Sequence, residues 1–257
     1  MVIKPNTEQH KRETVMLDRS KMQKNLRNFY ARLRDDCSGL AVVEFAVSLP
    51  FFLGLGVAGI ETANYAATIM QVNQIALHVA DNAARMGTDS LLTAKRVSEI
   101  DINDVFTGAR HEGNGLVFDG FHPYTDPGTD QVVARGNARI ILSSLEPVAN
   151  PNTTQKFKIK WQRCSGPGTH YAPKYGTVAN STSVNGIGPT GRQITAPDFG
   201  AVMFAEIHYH FKPLIVNGFS KLTEREIVAT GAMIVRDSRD MTTIYNSENV
   251  TKSLCNF

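Results

Sequence analysis

The chain has 257 residues, 42% of them hydrophobic and 20% charged, with a formal net charge of +3. This composition excludes general disorder and leaves room for one ordinary folded domain beyond any anchoring segment. Residues 1–39 hold nine basic side chains against five acidic ones and the remainder 18 against 19, so a basic nucleic-acid-binding domain is excluded.

Residues 1–39 form a basic leader, and within it Met22, Leu26, Phe29 and Leu33 recur at three- and four-residue steps between Arg19 and Arg34. That spacing predicts an amphipathic helix suited to a membrane surface. Leu40 to Ile60 follows as a near-continuous apolar run, and about 20 helical residues span roughly 30 Å of hydrocarbon. The positive flank places residues 1–38 in the cytoplasm and everything after about residue 60 outside. A core helix of a soluble protein is the alternative, but it explains neither the charge flank nor the uninterrupted run. A cleavable secretory signal fits poorly, because the n-region and the apolar stretch are both too long and no clean small-x-small site closes them. Within the span, Pro50 predicts a kink, and Gly54, Gly56 and Gly59 suit either close helix contact or ordinary membrane-helix composition. Glu44 is the one carboxylate in it, and an ionisable group there costs on the order of 2–3 kcal/mol or more, which usually marks function.

Helical spacing continues through Tyr65, Ile69, Val72, Ile75 or Ala76, Val79 and Ala83, with Gly87 as the expected C-cap. A shorter helix is expected from Leu91 to Phe106. Strands are expected at Gly115–Phe121, Asp130–Leu145, Gln155–Cys164, Ala201–Ile215 and Glu224–Asp237, with Phe157, Ile159 and Trp161 alternating on one face. Residues 165–200 read as a long surface excursion rich in Gly, Pro, Ser, Thr and Asn. The expected fold class is α+β, a long N-terminal helix whose outer half packs on an antiparallel sheet of four or five strands. Its three parts are the leader 1–39, the membrane half 40–60 and an extracytoplasmic head 61–257. Cys164 and Cys255 both fall outside the membrane, where disulfides persist, so a bridge between them is favoured over two buried thiols.

The string Asp36-CSGLAVVEFAVSLPFFLGL resembles the opening of the TadE/TadG-type proteins, minor pilins or pseudopilins of the bacterial tight-adherence (Tad, Flp-type) pilus system. Ser38, Gly39, Val42, Val43, Glu44, Phe45, Ala46 and Pro50 carry the likeness, with Val42 standing where the family usually has Ala. The late strand Glu206-IHYHFKPLI is similar to the family's Y-x-x-x-P-L strand. The resemblance implies cleavage by a prepilin peptidase between Gly39 and Leu40, leaving Glu44 as the fifth mature residue with Phe45 beside it. Glu44 would then match the new α-amine of a neighbouring subunit at similar membrane depth and set register. The implied partners are the peptidase, other pilin-like subunits, the Tad inner-membrane assembly platform and membrane lipid. The implied location is the bacterial inner membrane, single-pass, with possible incorporation in an extracellular pilus. The implied role is assembly, initiation or capping of an adherence pilus.

The competing class is an uncleaved signal-anchored periplasmic enzyme or binding protein; a type II secretion pseudopilin is a variant of the first class. No catalytic constellation, cofactor motif or phosphate loop stands out: Gly186-IGPTG lacks the following Lys-Ser/Thr, and no GxSxG is present. Asp237-SRDM lacks the spacing of a von Willebrand-type metal motif. Glu206, His208 and His210 share one strand face and are expected to form a solvated surface rather than a metal site. Trp161 is expected to pack on the sheet, with carbohydrate stacking as the alternative.

Overall fold

The computed structural model describes residues 21–32, 34, 39–88, 94–113, 115–214 and 225–256. The chain forms two units, Met1–Gly59 and Ile60–Phe257. In the first unit, residues 21–32 are helical and a second helix begins at Leu40. This helix, α1 (Leu40–Arg85), runs unbroken through Pro50 and contributes to both units. Leu33 of the expected leader helix, like Ser38 and Cys37, lies outside the described residues.

In the second unit α1 is followed by α2 (Glu99–Glu112), β1 (Phe121–Thr125), β2 (Val132–Gly136), β3 (Ala138–Pro147), β4 (Phe157–Ser165), β5 (Val202–Phe211) and β6 (Arg225–Ile234). β1 and β2 form a two-stranded ribbon, and the other four strands form an antiparallel sheet in the order β4-β3-β5-β6. The fold class is thus α+β.

The amphipathic half of α1 buries Val72, Ile75, Ala76, Val79, Ala80 and Ala83. They pack on alternate residues of three strands: Ile140 and Leu142, Met203, Ala205 and Ile207, and Ile227 and Ala229. Ala at positions 76, 80 and 83 keeps the ridge low, and Gly231 lets the helix come closest. A Cβ at Gly231 would sit 2.2 Å from the carbonyl oxygen of Ala76. α1 ends as its sequence predicts, with Gly87 taking the left-handed φ of 111° past the last turn. Arg239 completes the end: its guanidinium donates to the carbonyls of Ala83 (3.3 Å), Ala84 (3.1 Å) and Met86 (2.8 Å). A cation there satisfies orphan carbonyls and suits the negative end of the helix dipole.

Four expectations need correcting. The short helix α2 starts at Glu99 and runs on to Glu112, because Ser98 and Asp101 form a reciprocal capping box. Its expected start at Leu91 and Leu92 lies outside the described residues, while residues 95 and 98 make isolated bridges to Arg239 and Tyr245. The stretch from Gly115 to Gly120 is turns rather than strand. Its apolar alternation arises because Leu116 and Phe118 both pack on the helix–sheet core, Phe118 against Tyr209. Asp130–Leu145 splits at Asn137 into β2 and β3, which belong to different sheets. Asn137 fixes the break, donating from its side chain to the Val117 carbonyl at 3.1 Å and meeting His122 Nδ1 at 3.0 Å.

Finally, a bulge opposite Ser144 and Leu145 skips Lys160, so Trp161 turns to the helix face while Phe157 and Ile159 face the other way. That second face is not bare. Residues 165–200 lie across it, with Ile187, Ala196, Tyr175 and Val184 packed on Leu145, Phe157, Ile159, Val202 and Phe204. Buried Gln162 anchors this cover by donating to Gly176 O (2.9 Å) and accepting from Val178 N–H (3.2 Å).

Gly231→Ala tests the helix–sheet seam. In an open strand this change helps slightly, but here the methyl meets immobile backbone, and overpacking costs about 1–3 kcal/mol. Thermal melting of the variant should show a midpoint several degrees below wild type; an unchanged or higher midpoint would contradict the close approach.

Candidate functional site

Two regions concentrate chemistry, the apolar half of α1 and a polar cluster on the covered face of the sheet. In the first, Gly39 immediately precedes the helix and Leu40 is its first residue. Leu40, Val43, Phe45, Val47, Phe51, Phe52, Leu53 and Leu55 are all exposed, Val47 at 74%. Among the described residues α1 is the one helix long and apolar enough to cross a membrane, and none of its most apolar stretch is buried against them. So much bare hydrocarbon is unfavourable in water, at about 25 cal/mol per Å². Lipid or other apolar helices are what such a surface fits. Glu44 is exposed on this surface, and among the described residues no side chain is hydrogen-bonded to it. Ser48, one turn on, satisfies its hydroxyl locally by donating to the Phe45 carbonyl at 3.1 Å. Glu61, at the other end of the apolar stretch, accepts from the Leu214 N–H at 3.0 Å.

No known protein family, curated protein or solved structure matches this chain.

Cys164 and Cys255 are joined in a disulfide with their Cα atoms 4.9 Å apart. It holds the C-terminal tail beside β4, where Cys164 N–H donates to the Ser253 carbonyl at 2.8 Å.

The polar cluster is where the sequence reading departs furthest from the structure. Glu206 and His208 are not a solvated surface but 2% and 3% exposed. The cover formed by residues 165–200 seals them: Lys174 N–H donates to Glu206 Oε1 at 2.7 Å, and the Tyr171 ring stacks over His208 at 5.1 Å. His208 bridges two carboxylates, Nε2 to Glu206 at 2.6 Å and Nδ1 to Glu226 at 2.5 Å. His210 does not join them; its ring stacks on His122 of β1 at 3.6 Å, with His170 at 6.2 Å from His122. Among the described residues no group of three or more His, Cys, Asp or Glu is arranged to hold a metal ion. The scattered spacing of His122 and His170 hid this gathering; only the folding-back of the 165–200 segment and of β1 creates it.

Their environments push these imidazoles apart. Burial alone would lower the His208 pKa, but hydrogen bonds and charge from Glu206 and Glu226 outweigh it and raise the group above its ordinary value. Burial, reinforced by His122, His170 and Lys212, pushes His210 down to about 4. His170 is lowered too, first by burial and then by Arg135 and His122. Burial likewise raises Tyr171 to about 12.

A smaller cavity of about 290 Å³ lies under the tail, lined by Trp161, Glu146, Lys160, Met203, Met241 and Thr243, among others. Much of its charge is already committed: Arg163 pairs with the buried Glu99, and Asp240 accepts from Thr242 and Tyr245. Burial raises the Glu146 carboxyl despite Lys160 and Lys158 nearby.

The histidines predict a two-sided pH dependence. His208, with its raised folded pKa, stabilises fully below the unfolded value of about 6.5 and loses that contribution as pH rises through the folded value. His210 and His170, with lowered folded values, contribute fully above about 6.5 and lose stability as pH falls towards 4. Melting scans from pH 4 to 9 should therefore show a maximum near pH 6 to 7. His208→Gln should remove the alkaline decline, and His210→Phe, which keeps the ring stack, should shrink the acid one. A flat wild-type profile would refute the assignment.

Proposed function

We propose that this chain is a membrane-anchored minor pilin or pseudopilin that takes part in assembling a Tad-type pilus. The single observation behind this reading is an apolar helix half with no buried residue that carries one carboxylate, Glu44, four residues after Leu40 of a Gly39–Leu40 junction. A plain anchor has no use for that acid, whereas a helix that packs among like helices gains register from one matched charge. Cleavage at the junction would remove the basic leader and leave an α-amine on Leu40 for a neighbour's Glu44 to meet. The amphipathic continuation of the same helix, whose buried ridge packs on the sheet, supports the reading. The head is then free to meet the assembly platform or a surface outside the membrane.

Intact mass and N-terminal sequencing of membrane-extracted protein, with and without a co-expressed prepilin peptidase, test this directly. The expected result is a new N-terminus at Leu40 that disappears in Gly39→Val. An intact Met1 in both samples would instead favour an uncleaved anchor. Independently, Glu44→Ala should leave the head's melting midpoint unchanged but reduce co-purification with other pilus subunits by at least about tenfold, since breaking a buried pair costs roughly 3–5 kcal/mol. Undiminished co-purification would remove the charge-matching role.

A further inference from the structure

The four-stranded sheet has two edges, and the chain treats them differently. The β4 edge is sealed: Phe157 exchanges two backbone hydrogen bonds with Val184, Ile159 N–H donates to Ser181, and Cys164 N–H donates to Ser253. The disulfide to Cys255 clamps that seal. Along β6, among the described residues, no backbone group is engaged on the outer side.

Antiparallel pairing alternates the direction of the backbone groups, and Val235 N–H donates to Ala201, the residue just before β5. Arg225, Ile227, Ala229, Gly231 and Met233 therefore turn inward to β5, following the register of the pair. Glu226, Val228, Thr230, Ala232 and Ile234 turn their N–H and C=O outward. Ten residues long and without proline or lysine, this is the kind of edge that proteins ordinarily blunt or pair.

β6 together with the three residues after it complements itself: Arg225-EIVATGAMIVR-Asp237 has Gly231 at its centre, Arg-Glu at the strand's start and Arg-Asp just past its end. We propose that β6 pairs antiparallel with β6 of a second copy of this chain, about a two-fold axis at Gly231, so that the two sheets become one. In that register Glu226 faces the partner's Arg236 and Arg225 faces the partner's Asp237. Val228 faces the partner's Ile234 and Thr230 faces the partner's Ala232. The pairs of even-numbered residues, whose backbone groups turn outward, each close two N–H···O=C bonds.

Other pairings are worse. A parallel in-register pair sets Glu226 against its own copy, and like charges directly opposite are destabilising. An antiparallel pair recentred on Thr230 loses both directly facing ion pairs. A one-residue slip puts the side chains on the wrong faces. The charges are exposed at Arg225, Glu226, Arg236 and Asp237, so they select register more than they add affinity. Glu226 and Asp237 already hold His208 and Lys95, which fixes both carboxylates in place before a partner arrives. Beside the second half of β6, a groove of about 530 Å³ lined by Asp81, Ala84, Arg85, Met233 and Arg236 leaves room for the incoming side chains. The association is isologous and closes at two copies.

The test uses the full chain in detergent micelles, with Cys37→Ser in every variant. Val228→Cys and Ile234→Cys are made as separate chains, and each is oxidised alone and after co-expression. A disulfide-linked dimer only in the co-expressed sample is the expected result. Cross-linking of Thr230→Cys on its own, or none from the mixed pair, overturns the register and the proposal with it. Thr230→Pro supplies the second arm, because its N–H points outward and its loss spares the β5 ladder. Sedimentation should show its dimer weakened by at least about tenfold with the melting midpoint retained. A monomeric wild-type chain, or a dimer indifferent to Thr230→Pro, would show that the β6 edge is not an interface.

Discussion

The seating of α1 on the sheet through Gly231 is the constraint from which the rest of the head follows. Because the helix backbone comes down onto β6 with no side chain between, alanines suffice along its contact ridge, and larger residues on β3 and β5 fill the remaining space. The helix must then end cleanly, and Arg239 returns from the far end of the chain to satisfy its last carbonyls. That return draws the C-terminal segment across α2, where Tyr245 pairs with Ser98, and onward to the β4 edge. One close approach thereby organises residues separated by most of the chain.

What the sequence made legible was whatever depended on local period. The apolar run, its single acid, the amphipathic continuation, the glycine that ends α1 and the strands β4, β5 and β6 are all signalled by neighbours within a few residues. What it concealed depended on contacts made at long range. Lys160 carries no mark of a bulge, yet skipping it reverses the face of Trp161. Asn137 reads as an ordinary strand residue until Val117 and His122 arrive to meet its side chain. The 165–200 segment lacks periodicity because it packs with isolated side chains, Ile187 and Tyr175 among them, rather than with a repeating face. For the same reason Glu206 and His208 resemble a wet strand surface in sequence and are among the most buried polar groups in the structure.

The two faces of the sheet consequently do different work. The helix face is apolar and depends on shape, and it tolerates little change in volume. The covered face mixes a small apolar cluster with imidazoles and carboxylates. A buried carboxylate held by both a backbone N–H and a histidine is costly to leave half-satisfied, which ties the 165–200 segment to the sheet more firmly than its composition suggests.

The bridge between Cys164 and Cys255 has a mechanical meaning as well. It closes a loop of sequence separation 91, which includes the covering segment, β5, β6 and the strut of Arg239. A load passing from the N-terminal helix to the chain's far end crosses at the sulfurs and bypasses everything inside that loop. On the order of 300 Å of extensible chain, at about 3.3–3.6 Å per residue, is thus withheld from stretching. Under tension the residues between α1 and Cys164 can lengthen, while His208, β5 and the β6 edge stay off the line of force.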